Sequence, residues 1–176
     1  KSRSYLIHIS FLFWDFAVFS YNNITHLIKF VYNIYAIISK SLFCQRSYMK
    51  DQFEQMLQKT MQLIAIDSVQ AAPCDRSPFG KGVADCLDLV CNTAKEMGMQ
   101  VHNEGGYYCT CDVGDGEPFG ILGHIDVVPY DDDWSANPLG EIKDEYVFGR
   151  GILDDKGPMM CCLYAVNQLL QEGYKP

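Results

Sequence analysis

Glycine, proline and glutamate are all missing from the first 48 residues of this 176-residue chain. That stretch holds a single acid, Asp15, against five bases, Lys1, Arg3, Lys29, Lys40 and Arg46, and so carries a net charge of +4. Without Gly or Pro it offers no turn chemistry and no helix stops. It also lacks an uninterrupted apolar span of the roughly 18 residues that a transmembrane helix needs. Tyr5–Trp14 contains His8 and runs into Asp15, and the apolar run up to Ser39 is bounded by Lys29 and Lys40. No A-x-A-like cleavage site follows the basic start and the apolar Leu6–Trp14, so the signal-peptide pattern is incomplete. The chain as a whole lacks a basic excess. Its net charge is −8, which excludes the electrostatic footprint of a nucleic-acid binder. There is no C-x-x-C pair, which argues against a thiolate zinc site.

All 14 glycines and all 7 prolines lie after Met49, and residues 49–176 carry a net charge of −12. The composition therefore breaks at Met49. Twelve of the first 48 residues are aromatic, and the enriched types are those with A/T-rich codons. Three readings of residues 1–48 remain open: upstream translation, a membrane or export leader, and a packed extension. The first fits the composition best, and it predicts that this stretch packs poorly on a domain beginning at Met49. With 48% hydrophobic and 20% charged residues, the chain is not disordered. The eight cysteines are spaced as buried thiols rather than as a disulfide framework. Cys86 and Cys91 fall within one helical pattern, Cys161 and Cys162 within another, and Cys109 and Cys111 share one face of a strand. That usage fits a reducing, cytoplasmic setting.

From Met49 onward the periods are readable. Phe53, Met56, Leu57, Met61 and Ile64 predict a helix reaching about Ile66. Val83, Leu87, Val90, Ala94 and Met97 predict a second, stopped by Gly98. Met99–His102 and Tyr107–Val113 read as strands, and Phe119–Ile125 as a strand buried on both faces. Glu141–Lys143 and Tyr146–Phe148 read as a hairpin across Asp144-Glu145. Pro158 opens a last helix carrying Met159, Leu163, Val166 and Leu170, which Gly173 ends. The order predicts an α/β fold with a mixed sheet flanked by helices.

The residues with chemistry concentrate between Gly123 and Gly157. His124 and Asp126 stand two apart where a buried strand ends, the usual position of a ligand site in an α/β sheet. A neutral imidazole is a good metal ligand, and a neighbouring carboxylate fixes its tautomer. Alone, such a pair is as well explained by a hydrogen-bonded core histidine. Asp154-Asp155-Lys156-Gly157-Pro158 lies at a strand-to-helix junction, where adjacent acids can also be a solvated turn with a helix cap. The two motifs together, separated by an acidic loop with Trp134, are far more specific than either.

GHIDVVP at 123–129, DWSANPLGEIKDEYVFGRG at 133–151 and DDKGP at 154–158 resemble the zinc-dependent aminoacylase, carboxypeptidase and dipeptidase family, metallopeptidase family twenty. SPFGKGVADCLD at 77–88 resembles its PepV-type dipeptidase branch. The resemblance runs from about Gln52 to Pro176. It implies the N-terminal part of a catalytic domain that holds two Zn2+ ions about 3.5–4 Å apart, with Mn2+ or Co2+ as alternatives. It implies His124 as a ligand of one metal and Asp126 as the catalytic acid orienting that imidazole. Asp154 corresponds to the carboxylate bridging both metals, and its bond to Asp155 to one that is usually cis. Arg150 and Lys156 match motif positions without an assignable role. The family's general-base Glu, its remaining ligands and its lid domain lie further along the chain, so residues 49–176 are expected to be an incomplete and inactive catalytic domain. His102, with no motif around it, reads as a surface histidine.

The expected function of the complete protein is hydrolysis of dipeptides, with small peptides as partners and neither nucleic acid nor membrane. An N-acyl amino acid deacylase of the same family is the alternative. The Trp134 loop and the DDKGP motif favour the dipeptidase, since deacylases more often carry Met after the first Asp. A membrane-tethered, non-catalytic binding module anchored by residues 1–48 is the alternative from another class.

Overall fold

The structure, a computed structural model, describes residues 5–12 and 46–176. The elements follow in the order β1 (Tyr5–Leu12), α1 (Arg46–Ile64), α2 (Lys81–Glu96), β2 (Gln100–Glu104), β3 (Tyr108–Val113), β4 (Glu117–His124), β5 (Glu141–Lys143), β6 (Tyr146–Phe148) and α3 (Lys156–Gln171). Every element expected after Met49 forms, with ends shifted by a few residues.

Strands β2, β3, β1 and β4 make one sheet in that spatial order. β2–β3 and β3–β1 are antiparallel and β1–β4 is parallel, so the sheet is mixed as expected. The position of β1 departs from the expected poor packing of residues 1–48 over Tyr5–Leu12; burial of Phe11–Phe19, on which that expectation turned, lies outside the described residues. Ile7 pairs with Val113 and Phe119, Ile9 pairs with Cys111 and Ile121, and both isoleucines are buried. Tyr5–Leu12 thus fills an interior strand position. The reason is visible in its order: Ile7 and Ile9 alternate with His8 and Ser10, the period that one buried sheet face requires. Helix α1 begins at Arg46 and runs through the compositional break at Met49. Residues 13–45 lie outside the described residues.

Burial on β4 also differs from the expectation. Ile121 is 2% exposed, whereas Leu122, on the opposite face, is 52% exposed. Helices α2 and α3 supply the partners of the inner face. Val83, Leu87, Val90 and Ala94 of α2, and Met159, Met160, Leu163 and Val166 of α3, join Ile7, Ile9, Cys109, Cys111 and Ile121 in one core. Helix α1 enters that core through Leu63, while Phe53, expected on its inner face, is exposed. Gly98, with φ +82°, ends α2 as expected. In the β5–β6 hairpin Asp144 and Glu145 both have positive φ (50° and 67°), which gives a two-residue turn the twist its strands require.

Candidate functional site

β4 delivers His124 to the end of the sheet, and the next residues turn away through Asp126 and Val127. The segment following α1 runs beneath this end. Ser68 Oγ donates to Ile125 O at 2.7 Å and Val127 N–H donates to Ser68 O at 3.3 Å. Asp154 and Asp155 stand just before α3, joined by a cis peptide bond. The His124 N–H donates to Asp155 Oδ2 at 3.2 Å, tying the start of α3 to the end of β4. Gly123 makes this approach possible, because a Cβ there would collide with Asp155 and Met159.

His124 and Asp154, 30 residues apart, meet here: Nε2 lies 3.1 Å from Asp154 Oδ1. On the other side of the ring Nδ1 faces Asp126 twice, its backbone O at 3.0 Å and its Oδ1 at 3.4 Å. The main chain of Asp126 is thus the nearer partner of Nδ1, with its carboxylate behind. Burial pulls the imidazole pKa down, but Asp126 and then Asp154 outweigh it and raise it to about 9. Burial raises the Asp155 carboxyl above its usual range, against the opposing hydrogen bond from His124. The Asp154 side chain, by contrast, is 78% exposed and faces open space.

That space is a cavity of about 970 Å³ lined by His124, Asp126 and Asp154 on one side and by Trp134, Tyr146 and Phe148 on another. Arg150 closes the Trp134 side, its Cζ 4.7 Å from the ring centroid and its Nη2 donating to Pro129 O at 3.4 Å. His102 is exposed on β2, away from this group, as expected.

Lys156, like Arg150, is a motif residue to which the sequence assigned no role. It is fully buried, and its Nζ donates to Leu63 O at 3.0 Å and Ile66 O at 2.8 Å. It therefore fixes the end of α1 to the first turn of α3, next to Asp154. Ser68 was likewise missed. Neither residue carries a local pattern that marks it as buried, because each is buried by elements remote in sequence.

The donor set fits a zinc-type ion. Ligands at 2.0–2.2 Å in tetrahedral arrangement stand ~3.3 Å apart, and His124 Nε2 and Asp154 Oδ1 are close to that at 3.1 Å. Among the described residues no group of three or more metal-ligating side chains comes together, so those residues offer a pair of ligands rather than a full shell.

A strand-end histidine, an acidic helix entrance and an open cavity together mark a ligand site at the end of an α/β sheet. Residues 120–176 match the sequence model of the Peptidase family M20/M25/M40. The Beta-Ala-Xaa dipeptidase of Lactobacillus delbrueckii subsp. lactis is 36% identical over 126 residues, covering 69% of this chain and 27% of that protein. Human carnosine dipeptidase 1 shares the fold, with a TM-score of 0.50 and 22% identity over 70% of this chain and 30% of its own. The chain spans about a quarter of the length of the curated relatives it matches. No helix among the described residues is long and apolar enough to cross a membrane.

Proposed function

We propose that this chain is the N-terminal part of a zinc-dependent dipeptidase and contributes His124 and Asp154 to a two-metal centre, with Asp126 as the residue that orients His124. The observation that carries this reading is the 3.1 Å approach of His124 Nε2 to Asp154 Oδ1 at the mouth of the cavity. The family-model match of residues 120–176 and the dipeptidase names of the curated relatives support it. The substrate class is a dipeptide, and the name of the Lactobacillus relative makes a β-alanyl dipeptide the first to try.

Zinc at this position would supply Lewis-acid polarisation of a water and of the scissile carbonyl. The chain's own residues do the rest. Asp126 holds His124 Nδ1 through its backbone carbonyl and carboxylate, which leaves Nε2 as the lone-pair donor toward the cavity. Asp155, held by the His124 N–H, points its neighbour Asp154 into the open space. The apolar wall of Trp134, Tyr146 and Phe148 excludes water from one side of a bound peptide.

With two ligands, this chain should bind zinc weakly and hydrolyse no dipeptide. Isothermal titration with Zn2+ tests the first part. His124→Ala and Asp154→Ala should each abolish the binding seen in the parent, and equal binding in all three would place the metal elsewhere. In a protein extended to the length of the relatives, β-alanyl dipeptide hydrolysis should vanish with a chelator and in Asp154→Ala. Asp126→Asn should lower kcat more than it raises KM. Full turnover in Asp154→Ala, or turnover of N-acyl amino acids without dipeptides, would overturn the reading.

A further inference from the structure

The loop that carries Trp134 is anchored at one end only. Towards β5 it is knit together: the Asn137 N–H donates to Glu141 Oε2 at 3.0 Å, and the Leu139 N–H donates to Asn137 Oδ1 at 3.0 Å. Residues 131–136 form a turn, but among the described residues they make no side-chain hydrogen bond, no ion pair and no backbone bond to another segment. Asp131, Asp132 and Asp133 are all exposed. Trp134 is nonetheless half-buried, and it lines the cavity together with His124 and Asp154. The polar contact that accounts for its place is the Arg150 guanidinium, whose Cζ lies 4.7 Å from the ring centroid.

Arg150 is fastened on both sides of that ring. Its main-chain N–H donates to Pro138 O at 2.7 Å, beyond Trp134 in the loop, and its Nη2 donates to Pro129 O at 3.4 Å, before it. Pro129 closes the segment that begins at His124, and Arg150 shortly precedes Asp154 in the chain. One side chain therefore ties the strand-end half of the site, the loop and the approach to α3 together. The guanidinium forms no ion pair among the described residues, although three aspartates precede Trp134. Its Nε–H is enclosed and has no hydrogen-bond partner. A buried donor left bare is unfavourable, so hydrogen bonding alone does not account for this placement, whereas stacking on the indole does.

We propose that Arg150 is the positioning residue of the cavity wall: it holds the Trp134 ring in place, and through that ring it favours a dipeptide with an apolar side chain over one with glycine at the same position. The positioning stands on the contacts of Arg150; the substrate preference rests on the dipeptidase reading. With Trp134 held, the ring, Tyr146 and Phe148 give an apolar side chain a surface to cover, and glycine has nothing to place there. With Trp134 released, residues 131–136 lose their tie and that side of the cavity opens to water. Lysine cannot replace Arg150, because an ammonium does not lie flat over an indole while donating sideways to Pro129.

The test has two arms. In this chain, Trp14→Phe leaves Trp134 as the one tryptophan, so its emission reports the ring directly. Arg150→Met and Arg150→Lys should each move that emission to longer wavelength and make it easier to quench with acrylamide. Circular dichroism checks that each variant is folded, and Arg150→Lys carries the test if Arg150→Met is not. The second arm uses a protein extended to the length of the relatives, with β-alanyl-leucine and β-alanyl-glycine as substrates. Arg150→Met should lower the ratio of their kcat/KM values about 10-fold, mainly through KM for the leucine dipeptide. Trp134→Leu should lower it alike, and Arg150→Met added to Trp134→Leu should lower it no further. Unchanged emission in the folded Arg150 variants would overturn the positioning. A further fall in the double variant would overturn it too, since Arg150 would then act without Trp134. A parent that hydrolyses neither dipeptide would sink the dipeptidase reading and the substrate preference with it, while the emission still decides the positioning.

Discussion

Replacing Lys156 by Met removes a buried ammonium while keeping the length and volume of its stem, so no cavity adds to the effect. Lys156 donates to Leu63 O at 3.0 Å, in the last turn of α1, and to Ile66 O at 2.8 Å, two residues past its end. A hydrogen bond from a charged donor contributes about 1.5–3 kcal/mol net of desolvation. Leu63 O also receives the Ile66 N–H at 3.3 Å, so it is not left bare in the variant. The lower end of the range therefore applies to the pair, and the expected loss is about 3 kcal/mol. For a chain of this size that lowers Tm by about 6–12 °C. A pH series adds a second signature. Burial holds the folded Lys156 amine below its ordinary 10.5. As pH rises through the folded pKa toward 10.5, the unfolded chain binds more protons than the folded one, so the parent gains stability there. Lys156→Met should lack that rise. Urea unfolding followed by circular dichroism, in parent and variant across neutral to alkaline pH, measures both effects. A variant as stable as the parent, or one with the same alkaline rise, would mean that the Lys156 ammonium does not hold α1 to α3.

In the metal-free chain, the His124 pKa of about 9 lies above its unfolded 6.5, so its contribution is complete below pH 6.5 and is lost as pH rises through 9. The loss is about 3 kcal/mol at most, and Asp126→Asn should shrink it; an NMR titration of the His124 ring with urea midpoints checks both. Gly82 and Gly98 should separate sharply. A Cβ on Gly82 would collide with the Asp67 carbonyl, so Gly82→Ala should cost 3 kcal/mol or more by the measure of about 1–3 for ordinary overpacking. Gly98 has φ +82° and open space, so Gly98→Ala should cost only the left-handed strain of about 1–2 kcal/mol, and equal losses in thermal unfolding would contradict this account.

The sequence alone determined the elements whose period is local. α2 and α3 follow from apolar residues at helical spacing and from Gly98 and Gly173, and the hairpin follows from its two short β runs around Asp144-Glu145. It also determined the candidate site, because His124, Asp126 and Asp154 stand in motifs whose order could be read without knowing their distances. Tertiary structure decided what depends on remote partners. Tyr5–Leu12 became an interior strand because β3 and β4 present edges that an alternating segment can bridge, and composition is silent about strand neighbours. Leu122 is exposed and Lys156 buried for the same reason: burial belongs to the packing of layers, not to the residue. The 3.1 Å between His124 and Asp154 is of that kind too. It depends on Gly123 admitting the start of α3, on the Asp155 bond to His124, and on Lys156 holding the end of α1, three contacts between segments that the chain order keeps apart.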